Sequence, residues 1–191
     1  MGKRKGRKAK WLKETLELSD NHRWTSKDGY SVFVAGRGAV RFDVPKAWKF
    51  EPGETSFKFT DREPPDNNCR LEASYNHLPD ADWRLFPLKV TLKQIMREDS
   101  RDVIELGEVM KLPRQTAHIV WGELKFLDRN ENREAYSRIC VGIGSGVQCL
   151  ITFDYWVDDA EAMTPIWDVV LESLTLGLYI RDPRTGISFP D

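Results

Sequence analysis

Four extended segments, residues 103–112, 115–127, 133–141 and 147–157, follow one another with no helical pattern between them. Their links are Pro113-Arg114, Asp128-Arg-Asn-Glu-Asn132 and Gly142-Ile-Gly-Ser-Gly146. A parallel crossover needs a dozen residues or more, so links this short join antiparallel neighbours. The segments form a meander, and a chain of 191 residues built on one such sheet has room for one domain of ordinary size. Apolar residues make up 40% of the chain and aromatic residues 11%, enough side chain for a core, which excludes global disorder.

The first half of the chain supplies more strands. Residues 30–35 and 39–44 read as a hairpin around Gly36-Arg37-Gly38, stopped by Pro45, with Trp48 in the following turn. Residues 55–60 and 69–75 alternate polar and apolar, as half-buried strands do, and the loop 62–68 between them follows from its turn residues. Residues 76–87, with Trp83 and Phe86, read as a long loop leading into a helix over 88–98, where Leu88, Leu92, Ile95 and Met96 recur at helical spacing. Near the C-terminus Met163, Ile166, Trp167, Val170, Leu171 and Leu174 define a helix over 164–175. Thr164-Pro165 is read as its N-cap and N1, and Gly177 as its stop. Residues 9–18 carry an amphipathic pattern with Trp11, Leu12, Leu16 and Leu18 on one side. The fold class is α+β: an antiparallel meander flanked by helices, an α/β/α-type sandwich with the last helix packed across the sheet.

Charge divides the chain in two. Residues 1–13 hold Lys3, Arg4, Lys5, Arg7, Lys8, Lys10 and Lys13 and no acid. The totals of 29 basic and 30 acidic residues then leave 22 against 30 in residues 14–191, a body of about −8. The reading is a basic flexible arm (1–13) on a single domain (14–191). Lys3, Arg4, Lys5, Arg7, Lys8 and Lys10 offer polyanions a weak, salt-dependent attraction without sequence preference, because no aromatic side chain interleaves them to stack on bases. The stretch after the arm, Trp11-Leu-Lys-Glu-Thr-Leu-Glu-Leu18, is too charged for an export signal, and the longest uncharged run, 139–153, is too short to span a bilayer. A cytoplasmic location and no membrane span are expected.

Cys69, Cys140 and Cys149 show no C-x-x-C spacing, and buried, unpaired thiols are expected. A hairpin loop over 143–146 sets Cys140 opposite Cys149, whereas a loop over 142–146 sends them to opposite faces. The glycine-rich link is followed by a strand rather than a helix, so it is a hairpin turn and not a phosphate loop. Ser145 lacks the G-x-S-x-G setting of a nucleophile elbow. His22, His77 and His118 are isolated, and residues 76–82 gather polar side chains without a ligand spacing, so neither a metal nor a cofactor is expected. Asp154, Asp158, Asp159 and Glu161 precede the last helix, where acids compensate the dipole and cap. A catalytic pair built from Asp154 and Asp158 is the alternative, a small hydrolase. Trp48 and Trp83, in loops, and His77 beside them are the candidate partner-binding residues.

Val40-Arg-Phe-Asp-Val-Pro45 followed by Trp48 resembles the opening of PsbP-like domains. Arg133-Glu-Ala-Tyr-Ser-Arg-Ile139, Val147-Gln-Cys-Leu-Ile-Thr-Phe153 and the helix ending Val170-Leu-Glu-Ser-Leu174 resemble that superfamily's closing hairpin and helix, so the likeness spans about residues 29–177. The superfamily includes a photosystem extrinsic subunit, a Ran-binding nuclear import factor and DcrB-type bacterial proteins. The resemblance implies an antiparallel sheet flanked by helices and a binding or assembly role with a protein partner, without an active-site motif to carry over.

Overall fold

A computed structural model describes residues 18–53 and 56–189. The basic arm, and the amphipathic stretch except for Leu18, lie outside these. The elements in chain order are β1 (Tyr30–Ala35), β2 (Val40–Pro45), β3 (Lys49–Pro52), β4 (Phe57–Thr60), β5 (Cys69–His77), α1 (Leu88–Arg97), β6 (Asp102–Leu106), β7 (Met110–Leu112), β8 (Ala117–Asp128), β9 (Arg133–Gly144), β10 (Val147–Trp156), α2 (Ala160–Ser173), β11 (Thr175–Leu176), β12 (Ile180–Asp182) and β13 (Ile187–Ser188). The main sheet runs β3-β4-β5-β10-β9-β8-β6, with β7 also on β8, and every pairing in it is antiparallel. A second sheet runs β1-β2-β11, and β12 pairs with β13. The α+β class and the meander are as expected from sequence.

Alternation along the strands gives the main sheet two apolar faces. On the first, Ile119, Cys140, Ile151, Phe153 and Leu71 meet α2 and the inner residues Val40, Phe42 and Val44 of β2. On the second, Val120, Leu124, Ile139 and Val141 meet Leu88, Leu92 and Met96 of α1. The i, i+4, i+8 stripe of α1 can approach this closely because β8 carries Gly122, where a Cβ would lie 2.7 Å from the Met96 sulfur. Ile95, read from sequence as part of that stripe, is exposed instead. β9 is covered from both sides, and so its residues 137–144 are buried in succession.

Most element ends move by a residue or a few; four departures from the sequence reading have a clear physical cause. The segment 103–112 is two strands, β6 and β7, because Gly107 donates its N–H to the Glu123 carbonyl and buried Val109 turns beneath α1. The glycine-rich link is a two-residue turn, Ser145-Gly146, with φ of 48° and 72°, as a type I′ hairpin turn requires. Cys149 therefore faces Gly142 and Cys140 faces Ile151, so the two thiols lie diagonally on one face, an arrangement that neither expected loop produces. α2 begins at Ala160, so Pro165 is interior and Thr164 is no cap; the Glu161 carbonyl that Pro165 leaves unbonded is on an exposed residue, in reach of water. Finally, α2 ends at Ser173 rather than at 175, and Gly177 is not its stop. Leu174 turns extended (ψ 121°), and Thr175–Leu176 pair with Arg41 and Val40 of β2. Its last carbonyls are taken by arginines, Arg41 on Ser173 (3.2 Å) and Arg114 on Leu171 (2.9 Å) and Glu172 (3.2 Å).

All three cysteines are buried, unpaired thiols. Burial pushes Cys69 and Cys149 up to about 12 and raises Cys140 well above its ordinary value. The thiolate is the reactive species, so raised values mean protection at neutral pH. In native protein at pH 8, iodoacetamide should leave all three unmodified while the denatured chain takes up three equivalents, read by intact mass. Labelling of any cysteine at equal rates in the two states contradicts this burial.

Candidate functional site

One end of the main sheet opens into a cleft of about 810 Å³. Its walls come from three places: the Ser145-Gly146 turn, residues 111–118 around the β7–β8 link, and residues 80–83. The third wall is fixed by two contacts. Leu78 donates its N–H to the Gly146 carbonyl (2.8 Å), and a 3₁₀ turn over Trp83–Leu85 sets Trp83 against the second core. The Trp83 indole N–H bonds the Pro79 carbonyl (3.0 Å), and its ring meets Phe86 edge-on at 5.8 Å. Lys111, His118 and Asp82 also line the cleft, with Arg114 tied back to the end of α2. The result is an aromatic wall among charges of both signs, on a frame of backbone bonds.

Trp48 and His77 lie elsewhere. Trp48 sits half-buried against Phe153 (5.8 Å) on the first face, and Phe153 pairs with Leu71 on β5. His77 is six residues further along β5, about 20 Å at strand rise, opposite Val147. Its ring meets Tyr75 edge-on at 5.8 Å on that same first face, whereas Trp83 packs on the second. The three candidates are not one constellation; of them, Trp83 alone lines the cleft. Lys111 and Arg114 carry no functional expectation from sequence, and His118 is there only an isolated histidine within the extended segment 115–127. No local signal joins them to Trp83, which is about 30 residues away in the chain.

The acidic residues before α2 are held apart. Asp154 accepts from the Ser137 hydroxyl (2.5 Å) and from Arg101 (3.3 Å). Arg101 also binds Asp99 (2.7 Å), holding that carboxyl below its ordinary value, and lies over the Phe126 ring at 4.1 Å. Asp158 is exposed and pairs with Arg133 (2.9 Å). Asp154 and Asp158 thus serve different arginines, and neither lines the cleft. Asp159 stands at the N-cap position of α2 without a side-chain cap bond, which corrects the capping expectation. Among the described residues no group of three or more His, Cys, Asp or Glu side chains is placed to hold a metal ion. No helix among them is long and apolar enough to cross a membrane.

A second polar cluster, on the first face, is structural. Arg138 donates to Glu123 (2.6 Å) and to Thr164 of α2 (3.0 Å), and the Tyr155 hydroxyl donates to the same Glu123 oxygen (3.1 Å). Burial raises the Tyr155 hydroxyl above its ordinary value and keeps it a donor. The cluster bolts α2 to the centre of the sheet.

The antiparallel sheet with a helix on each face is the PsbP-like fold. It matches cyanobacterial PsbP (CyanoP) of Synechocystis sp. PCC 6803 at a TM-score of 0.52 and 12% identity, over 79% of this chain and 94% of that one. It matches the Ran-binding protein Mog1p of Saccharomyces cerevisiae at 0.53 and 9%, over 77% and 95%. At such identities the likeness is one of fold. The chain belongs to the Alr1449 family, whose model matches residues 31–180. It is 62% identical to the protein alr1449 of Nostoc sp. (strain PCC 7120) over 192 residues, all of both chains.

Proposed function

We propose that the chain is a non-catalytic binding or assembly module of the cytoplasm that engages a protein partner at the sheet-end cleft. The observation that carries this reading is Trp83, a half-buried indole in the wall of a cleft with cationic and acidic neighbours. Tryptophan in such a setting is the side chain most often responsible for binding energy at protein interfaces, because it brings large apolar area at little entropic cost. The fold neighbour named as a Ran-binding protein lends support at the level of fold. Three buried free thiols fit a reducing compartment.

The test is quantitative capture by the tagged full-length chain. One partner at one-to-one stoichiometry is expected. Trp83→Ala should weaken it roughly 30-fold, a loss of about 2 kcal/mol. Leu150→Ser, on an exposed outer position of β10, should leave it unchanged. Undiminished capture by a Trp83→Ala protein with a wild-type circular dichroism spectrum moves the partner away from this cleft. No stoichiometric partner at all removes the reading.

A further inference from the structure

A second cleft, of about 820 Å³, shares no lining residue with the first. Its floor is the outward side of β1. Phe33 and Ala35 turn into the core, so Tyr30, Val32 and Val34 face away from it and line the cleft. One wall is Trp24, whose indole N–H bonds the Pro183 carbonyl (2.8 Å) and whose ring would lie 2.9 Å from a Cβ on Gly186. The other wall is Ile180 and Phe189 from the C-terminal hairpin, and Phe189 is 58% exposed.

The charge of this cleft is one-sided. Arg37, Lys46 and Arg181 line it, and among the described residues no Asp or Glu does. Arg41, Arg101, Arg133 and Arg138 each face a carboxylate elsewhere in the protein. Arg37, Lys46 and Arg181 have no such partner among the described residues. Arg37 is also held in a backbone conformation that a side chain disfavours. Its φ is 55° and ψ 38°, between Gly36 (φ 57°) and Gly38 (φ 95°). The turn is locked from outside: Leu178 donates to the Gly38 carbonyl (2.9 Å), Gly177 to that of Ala39 (2.9 Å), and a Cβ on Gly38 would lie 2.9 Å from the Tyr179 nitrogen. Glycine would occupy position 37 with less strain, yet the chain places there a cation that reaches the cleft.

We propose that this cleft binds an amphipathic carboxylate, its apolar chain lying on Tyr30, Val32 and Val34 and its headgroup turned to Arg37, Lys46 and Arg181. The apolar floor accounts for the tail; among the described residues the three cations have no carboxylate partner and the lining has no Asp or Glu, which accounts for the headgroup. A cleft of this volume is of the size that takes small organic ligands.

Titration calorimetry of the full chain with octanoate, 1-octanol and acetate separates the two contributions. Octanoate should bind at one site, with octanol and acetate each at least tenfold weaker. Arg37→Gly removes the cation and relaxes the backbone, so it should weaken octanoate at least tenfold without lowering the melting temperature. Trp83→Ala should bind octanoate as the wild type does, which keeps this result independent of the partner cleft. Equal affinity for octanoate and octanol, unchanged binding by Arg37→Gly, or no octanoate binding by the full chain overturns the proposal.

Discussion

Trp167→Ala should lower the unfolding free energy by about 3–5 kcal/mol, the range for truncating a fully buried aromatic side chain. Trp167 is 0% exposed, stacks on Phe153 at 6.1 Å and 16°, and meets Trp121 edge-on at 5.9 Å. It is the central ring of the contact between α2 and the first face, and removing it opens a cavity that the fixed strands around it cannot close. Trp167→Phe should be much milder, for a second reason besides volume. The indole N–H has no hydrogen-bond partner among the described residues. A buried donor left unsatisfied costs about 1–3 kcal/mol, so phenylalanine relieves a penalty while giving up some packing. Urea unfolding followed by far-ultraviolet circular dichroism measures both. A Trp167→Ala protein within about 1 kcal/mol of wild type would show that α2 is not held through this ring.

Arg138→Ala should cost about 3 kcal/mol, the lower end of the range for breaking a buried ion pair. Arg138 is 8% exposed, but the Glu123 side chain keeps 31% of its surface, so water softens the charge left behind. The same variant also takes the donor from Thr164 and a cation from between the Trp121 and Tyr155 rings. The double variant Arg138→Met, Glu123→Leu should recover most of the loss, because it removes both charges and keeps the volume. A coupling of about 1–3 kcal/mol between the two positions is expected from the cycle. Additive losses in the double variant would mean that the two side chains stabilise the protein separately.

Both predictions concern the contact between α2 and the sheet, where sequence and structure agree in part. The apolar stripe through Trp167, Val170, Leu171 and Leu174 was legible, since a 3.6-residue period needs no knowledge of the partner surface. The ends of the helix were not. Thr164-Pro165 has the chemistry of a helix start, but α2 follows β10 through the 3₁₀ turn Val157–Asp159 and is already helical at Ala160. Its end is set by β2, which takes Thr175–Leu176 as a short third strand and Asp43 N–H to the Ser173 hydroxyl (2.8 Å). The break between β6 and β7 was equally hidden, because both halves are extended and pair with one neighbour, β8.

The class of fold, the antiparallel order of β8, β9 and β10, the apolar stripe of α2 and most of that of α1 were legible in the residues alone. These follow from local periodicity and from links too short to cross a sheet. That β5 pairs with β10 and β11 with β2, and where the two clefts lie, emerged with the folded chain. Trp83 lines one cleft with Lys111, His118 and Ser145, and Arg37 lines the other with Lys46 and Arg181, from segments that are mostly distant in the chain. No spacing rule encodes such meetings, because a cleft between loops is a property of how the strands beneath them are ordered.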